Sequence, residues 1–452
     1  MDAIAGIFDY IQDLGVSVFM PIVIFIIGMI FKTGFGKSLR AGLTVGVGFI
    51  GLNLVINELL GVNLGPAVQE MISRYGLELQ AIDIGWPATA AISFASTVGI
   101  MIIPIGLITN IVMLLTNTTQ TVNVDIWDYW HFAFAGALTA ILTDSISIGI
   151  AVAVINMVII MVLADVTAPH VEESLDLPGV SLPHGFTTAY APIAIFFNKI
   201  IDSIPGVRKI DINPEKLQQR FGVFGEPILI GTVLGIFIGI LAGYGVKGTL
   251  ALAISLAAVL VLIPKMAALL MEGLIPISDA ASNYIKKNFE NRGKIYIGLD
   301  SAIGVGHPVT LAISLVLVPI SVFLAVILPG NIVMPFADLA TIPWMFVLIT
   351  PIVRGNAFRA IIIGTISLAA GLYIATDLAP LMTSAASNAN FEMPEGSELV
   401  SSIVDGGNPL SWILIRANEF GIFGVIILGL VAISMAVWNR KRIKKEAAGL
   451  EQ

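Results

Sequence analysis

Apolar residues in this chain come in long unbroken runs, with polar residues gathered between them. Leu14 to Phe31, Ile84 to Val124, Ser145 to Ala164, Pro227 to Val246, Ser301 to Ala337 and Gly421 to Trp438 contain no Asp, Glu, Lys or Arg. A bilayer core of about 30 Å takes about 20 mostly apolar residues per helix, so each shorter run predicts one crossing and the two longest predict more. Run lengths sum to about eleven crossings. Backbone facing lipid must satisfy its own hydrogen bonds, which leaves helices or a closed barrel, and continuous runs do not alternate as barrel strands do. The pattern predicts an all-α polytopic membrane protein.

Composition agrees. With 452 residues, 57% of them hydrophobic and 12% charged, and a mean hydropathy of +0.94, the chain lacks the polar surface to cover a soluble globule. The stretch Met1 to Gln12 has no Lys or Arg, and the first run shows no small-residue cleavage site, so that run is expected to be retained as a span. No cysteine is present, which excludes disulfides, thiolate metal sites and a cysteine-bound intermediate on this polypeptide. The net charge of −8 lies in loops, with no basic and aromatic interleaving of the kind that binds nucleic acid.

Basic residues set the orientation. Lys32, Lys37 and Arg40, then Lys286, Lys287, Arg292 and Lys294, then Arg440 to Lys445 all belong on the cytoplasmic side by the positive-inside rule. Asp2 to Asp13 and Glu392 to Asp405 are acidic and fit the outer face, so the chain is expected to start outside and end inside. Ile84-Gly85-Trp86-Pro87 resembles Ile297-Gly298-Leu299-Asp300, and Asp125-Ile126 resembles Asp338-Leu339, at similar offsets. Corresponding loops carry opposite charge character, as an inverted-topology repeat requires. Residues 1–220 would form the first repeat and 221–452 the second, the latter ending in a basic tail at 439–452.

Within this apolar framework four polar clusters stand out. Asn123 to His131 carries two Trp and a Tyr: either an interfacial aromatic belt in which His131 snorkels, or a helix start from which His131 reaches a hydroxylated ligand. Pro183-His184-Gly185 breaks regular helix, as a surface turn or as a cavity-lining loop. Glu226 before Pro227 is a helix-start carboxylate favoured by the dipole, or a buried group serving ligand or gate. Asp300 opens a long uncharged stretch, as an N-cap or as an acceptor for neighbouring hydroxyls, with its repeat counterpart near Trp86. Asp144 reads as a loop between two spans, and Arg354-Gly355-Asn356 as a cytoplasmic turn. No metal-ligand spacing, Walker A loop or nucleophile elbow is present, and no cofactor is expected.

These clusters, in this order, resemble the membrane component IIC of the galactitol-type phosphoenolpyruvate-dependent phosphotransferase system. The resemblance runs along nearly the whole chain, through Val122 to Trp127 with Trp130-His131, Pro183-His184-Gly185, Ile204 to Val207, Phe221-Gly222 with Phe224 to Pro227, Leu241 to Tyr244 with Val246 to Gly248, and Ile297 to Asp300. Ser301 stands where the galactitol proteins carry Pro, and Phe186 where they carry Thr. The resemblance implies a homodimer related to the ascorbate-type fold, with a scaffold domain and a mobile core that moves as an elevator in the bilayer. It implies that His131, His184 and Asp300 contact a polyol, with Glu226 as a further motif residue, while Trp86 is a candidate through its repeat correspondence with Asp300. It also implies IIA and IIB partners, the latter bearing the phosphocysteine that this cysteine-free chain lacks; the chain itself transports rather than catalyses.

Two other readings fit the same residues. An ion-coupled secondary transporter would use Asp144, Glu226 or Asp300 for Na⁺ or H⁺. A non-transporting membrane scaffold or sensor would use the polar clusters only to satisfy helix ends.

Overall fold

The computed structural model of the chain describes residues 16–447, apart from 31, 56–57, 60–61, 76–78, 124, 211–225, 290–294, 306, 392 and 395–397. The acidic N-terminal segment, the motif from Phe221 to Gly225, and Arg292 with Lys294 lie outside the described residues. Helices α1 (Val16–Ile30), α2 (Phe35–Leu54) and α3 (Val62–Tyr75) come first. After β1 (Ala81–Asp83), α4 (Gly85–Ala95) and α5 (Thr97–Leu115) form a helical hairpin, and after β2 (Thr121–Asn123), α6 (Tyr129–Thr143) and α7 (Ile146–Leu175) form another. Next come β3 (Val180–Ser181), α8 (Gly185–Ala189), α9 (Ala191–Ser203), α10 (Pro227–Leu241) and α11 (Val246–Phe289). The chain continues through β4 (Tyr296–Gly298), α12 (Ala302–Val305), α13 (Pro308–Ile327), β5 (Val333–Met334), α14 (Ile342–Ile352) and α15 (Ala357–Asn388). It finishes with β6 (Leu399–Ser401), α16 (Pro409–Arg416) and α17 (Ile422–Ala447).

Local chemistry fixes the hairpins. Ser96 is extended, and its hydroxyl accepts the Gly99 N–H, so one residue ends α4 and caps α5. Gly99 has no side chain because the Ser93 carbonyl occupies the space a Cβ would need. Asp144 adopts the left-handed conformation at φ 50°, closing α6, and Ser145 caps α7 through the Ile148 N–H. On the other side of the molecule Arg354, at φ 55°, and Asn356, which accepts the Arg359 N–H, make the same kind of turn between α14 and α15.

Four described helices, α5, α7, α15 and α17, are each long and apolar enough to cross a bilayer, and Gly231–Leu241, Val246–Leu262, Val316–Ile327 and Ala337–Ile352 are shorter apolar segments. The surface of these helices is apolar where a soluble protein's would be polar: Ile254 is 68% exposed and Ile433 62%. Such residues belong against lipid. Helices α1, α2, α10 and α11 pack together, while α6 and α7 pack on each other and α7 on α17. This is a mostly helical, polytopic membrane protein.

Two three-stranded parallel sheets interrupt the helices. One has the order β5-β1-β6 and the other β2-β4-β3. Ala81 pairs with Val333 and Leu399, and Ile297 with Val122 and Val180. Each sheet thus takes its central strand from one half of the chain and both flanking strands from the other. The strands are short because their work is to hold loop ends: β1 leads into α4, β2 into α6, β3 into α8 and β4 into α12.

The structure decides between two open readings and corrects one expectation. Trp127 and Trp130 are 2% and 1% exposed, so they form interior packing and not an interfacial belt. Asp405, placed by the sequence at the end of an acidic outer segment, is fully buried, because β6 carries the chain back into the protein interior before α16.

Candidate functional site

Where the sheets release the chain, their loops converge. A cavity of about 30 Å³ is lined by Trp86, Trp127, Trp130, His131, His184, Phe186, Asp300, Thr341, Trp344 and Val404. Of the five residues singled out in the sequence, His131, His184, Asp300 and Trp86 meet here. Glu226 does not: it is exposed at the start of α10, with no side-chain capping bond, and is absent from the lining. A space this size holds one or two waters, not a six-carbon polyol, so the conformation seen is closed and a larger ligand requires the walls to part.

Each histidine is oriented from behind. His131 Nδ1 lies 2.5 Å from the Asp405 carboxylate, and the Asn408 amide holds that carboxylate by a 3.0 Å bond to Oδ1. With its Nδ1 proton given to Asp405, His131 presents a bare Nε2, an acceptor, to the cavity. His184 sits just before α8 as its N-cap, and its Nδ1 accepts the Thr187 N–H at 3.3 Å. Its proton therefore resides on Nε2, which makes that atom a donor. The two Nε2 atoms are 3.4 Å apart. His184 Nε2 also lies 3.6 Å from Asp300 Oδ1 and 3.9 Å from Asp128 Oδ1.

Gly185 makes this approach possible. A Cβ there would strike His131 Cβ, so the residue after His184 must lack one. Asn408 ties the same loop down by donating to the Gly185 carbonyl at 3.1 Å. Asp300 is positioned through its backbone: its N–H bonds Asp125 Oδ2 at 3.1 Å, while its Oδ1 accepts the Ala302 N–H at 2.8 Å and starts α12. Asp300 thus stands at a helix start and in the cavity wall at once. Trp86 is set in the same fashion, its N–H bonding Asp338 Oδ1 at 2.7 Å. Its ring stacks near Trp130 at 6.3 Å and 27°.

Behind the lining lies an unusual concentration of buried carboxylate. Asp128 is fully buried, and neither of its side-chain oxygens has a hydrogen-bond partner. An unpartnered buried acceptor costs on the order of a few kcal/mol, which a ligand's hydroxyl can relieve. Asp128, His131 and His184 offer ligand atoms within 4.8 Å of one another, as do Asp125, Asp128 and Asp300. Asp125, Asp128 and His131 stand three residues apart in one segment, and only His184 and Asp300 reach these groups from distant ones. A metal on His184 would need the Nε2 lone pair, and hence a protonated Nδ1 facing the Thr187 N–H. The hydrogen bonds as drawn suit hydroxyl groups better, since Nε2–H of His184 can donate and Nε2 of His131 can accept.

Sequence reasoning missed Thr341, Trp344 and Val404 as lining, and Asp405 and Asn408 as supports. A signal for two of these exists: Trp344 and Thr341 follow His131 and Asp128 by the offset that separates Asp125 from Asp338. The Asn408-Pro409 step is a helix-start signature.

The chain is 40% identical over 448 residues to the PTS system galactitol-specific EIIC component of Escherichia coli (strain K12), with 98% of each chain covered. It has the same identity and coverage to the galactitol-specific EIIC component of Escherichia coli O157:H7. The family model of the PTS system sugar-specific permease component, EIIC-GAT, matches residues 10–396. On that extent of agreement the chain belongs to the EIIC-GAT family of sugar-specific permease components.

Proposed function

We propose that this permease carries galactitol or a closely related polyol, and presents it to a separate IIB protein for phosphorylation, with IIA as IIB's own donor. The observation that carries the reading is the opposed pair of imidazole nitrogens, one donor and one acceptor 3.4 Å apart, beside Asp300 and walled by indoles. Such a site fits hydroxyls along their donor and acceptor directions and apolar C–H faces against aromatic rings. Phosphorylation adds roughly −1.5 to −2 charges to the substrate and so abolishes its fit to this pocket. Return through an apolar barrier is then blocked.

The architecture we infer is an inverted repeat of residues 1–220 and 221–452, crossing the bilayer about eleven times, with a dimerising scaffold and a core that moves as an elevator. The crossed sheets support the repeat, since β1 between β5 and β6 is answered by β4 between β2 and β3. So does the bond of Trp86 N–H to Asp338, answered by Asp300 N–H to Asp125. Orientation follows from the tail: Asn439, which opens the basic segment, bonds the Asp165 carboxylate at 2.6 Å. The tail therefore leaves the protein at the Leu175 end of α7, and the positive-inside rule makes that end cytoplasmic.

Uptake of labelled galactitol into cells, with and without the cognate IIA and IIB, tests the function. Phosphorylated galactitol only when IIB is present is the expected result. Free galactitol accumulating without IIB, and collapsing with an uncoupler, points instead to an ion-coupled transporter, for which the cluster of Asp125, Asp128 and Asp300 is the observation in favour.

A further inference from the structure

Among the large crevices on the described surface, one, lined by Lys32, Lys37 and Arg40 with Glu272 and Asp279, lies between α2 and α11; two others lie at opposite ends of the same long helices. One, of about 500 Å³, is lined by Ser96, Thr97, Asp144, Ile146 at the start of α7 and Asn388 at the end of α15. The other, of about 450 Å³, is lined by His170, Glu173, Ser174 and Leu175 at the end of α7, by Arg354 and Gly355 just before α15, and by His307 and Thr350. A helix of 30 residues such as α7 is about 45 Å long, so the two crevices face opposite sides of the bilayer. The second is on the side of the basic tail.

Their chemistry differs in a directed way. No Lys, Arg or His lines the first crevice, where Asp144 is the charged group. The second holds Arg354, His170 and His307, with Glu173 as its single acid, exposed at the rim. It also holds polar atoms without partners. Thr350 is 3% exposed and its Oγ1 makes no hydrogen bond, and His307 Nδ1 is buried and unpartnered. His307 is the N-cap residue of α13, whose first N–H groups have no intrahelical acceptor and point, with the positive end of the helix dipole, toward this space. The ends of α7 and α14 face it with their carbonyls, but each amounts to about half a charge against the full charge of Arg354.

The crevice also adjoins the polyol cavity. The four-residue α12 runs from Asp300, in the cavity, toward His307, in the crevice, and α14 runs from Trp344 to Thr350 between the same two spaces. What separates them is the packing of Gly304, where an added Cβ would lie 2.5 Å from Val347 Cγ1 and 3.1 Å from Leu175 Cδ1.

We propose that the crevice of His170, His307, Thr350 and Arg354 is a binding site for the phosphate of the phosphorylated polyol, through which product leaves on the basic-tail side. This rests on the permease reading above and adds the product site to it. Substrate enters past a crevice with no cation, as a neutral polyol can. Product, once an anion, is drawn to the opposite crevice and disfavoured in the first. A built-in charge asymmetry of this kind makes departure directional without changing the polyol cavity.

The test is calorimetric binding to the full chain in nanodiscs, with galactitol, a phosphomonoester of galactitol and inorganic phosphate as probes. Wild type is expected to bind the phosphomonoester, and Arg354→Gln to weaken it about tenfold or more, the scale of a lost charge-assisted bond. Thr350→Val should weaken it less, and galactitol affinity serves as the folding control for both. Unaltered ester affinity in Arg354→Gln overturns the proposal. So does failure of wild type to bind the ester, or ester binding that is lost in His131→Ala yet retained in Arg354→Gln, which would put the phosphate in the closed cavity. An Arg354 effect confined to discs of anionic lipid would assign the crevice to a headgroup and also overturn it. The functional reading fails separately, by absence of galactitol binding in wild type.

Discussion

His131, in the cavity wall, and Asp405 behind it are 274 residues apart in the chain, with Nδ1 2.5 Å from the carboxylate. Asp405 touches no lining surface of its own; it decides which nitrogen of His131 carries the proton. Replacing it by Ala leaves a buried ring N–H without an acceptor and frees the imidazole to present a donor to the cavity. Galactitol affinity of Asp405→Ala is expected to fall ten- to a hundredfold, with a stability loss of about 1–3 kcal/mol. Asp405→Asn, whose amide oxygen can still accept the Nδ1 proton, should lose less. Equal affinities for Ala, Asn and wild type, measured by titration calorimetry, would dismiss the tautomer argument.

His184 combines a helix cap and a place in the cavity wall in one ring, and the capping and the proposed binding role can be separated. Asn is a good N-cap and can accept the Thr187 N–H, but it is too short to place a donor where Nε2 stands. His184→Asn should therefore keep thermal stability close to wild type and lose polyol binding. His184→Ala should lose both, the cap being worth about 1 kcal/mol. Polyol affinity retained in the Asn variant would take His184 out of the site.

Asp338 is the hub of the loop that presents Trp86. It accepts the Trp86 N–H, the Ser402 hydroxyl at 2.6 Å and the Ile403 N–H at 3.1 Å, while its own N–H bonds Asp83 Oδ2 at 2.8 Å. Asp338→Ala strands three buried donors at about 1–3 kcal/mol each before relaxation, so the protein should be severely destabilised and recovered from membranes in low yield. Asp338→Leu should fare no better, because the donors and not the lost volume set the cost. Near-normal melting of either variant would show that the crossed loops do not depend on this carboxylate.

The helical, lipid-facing character was legible in the sequence because it is written in run length, and so were His131, His184 and Asp300, because polar residues stand out against such runs. Glu226 stood out by the same criterion, yet it lies exposed at a helix start, where the dipole account suffices. The place of Trp130 stayed open in the sequence because an aromatic cluster beside polar residues looks the same at an interface and in a buried site; only packing tells them apart. Asp405 was hidden for a different reason. Its segment is acidic and carries Pro394 and Gly396, which reads as a loop, and only the pairing of Leu399 to Ser401 with Ala81 to Asp83 turns that loop inward. The strands themselves, two or three residues each, are too short to leave a periodic signal.

Four of the six tryptophans, Trp86, Trp127, Trp130 and Trp344, line the same cavity, so tryptophan emission reports mainly on that cavity. At about 30 Å³ it cannot take a hexitol without the indoles moving apart. Galactitol should therefore change the intrinsic fluorescence of the purified protein in a saturable way, and a sugar that fails to compete in uptake should not. His184→Asn should abolish the change at the same galactitol concentrations. Glu226→Gln should leave it intact, since that carboxylate is exposed and absent from the cavity wall. A fluorescence response lost in Glu226→Gln but kept in His184→Asn would reverse the assignment, placing the polyol near the start of α10 instead of between the two histidines.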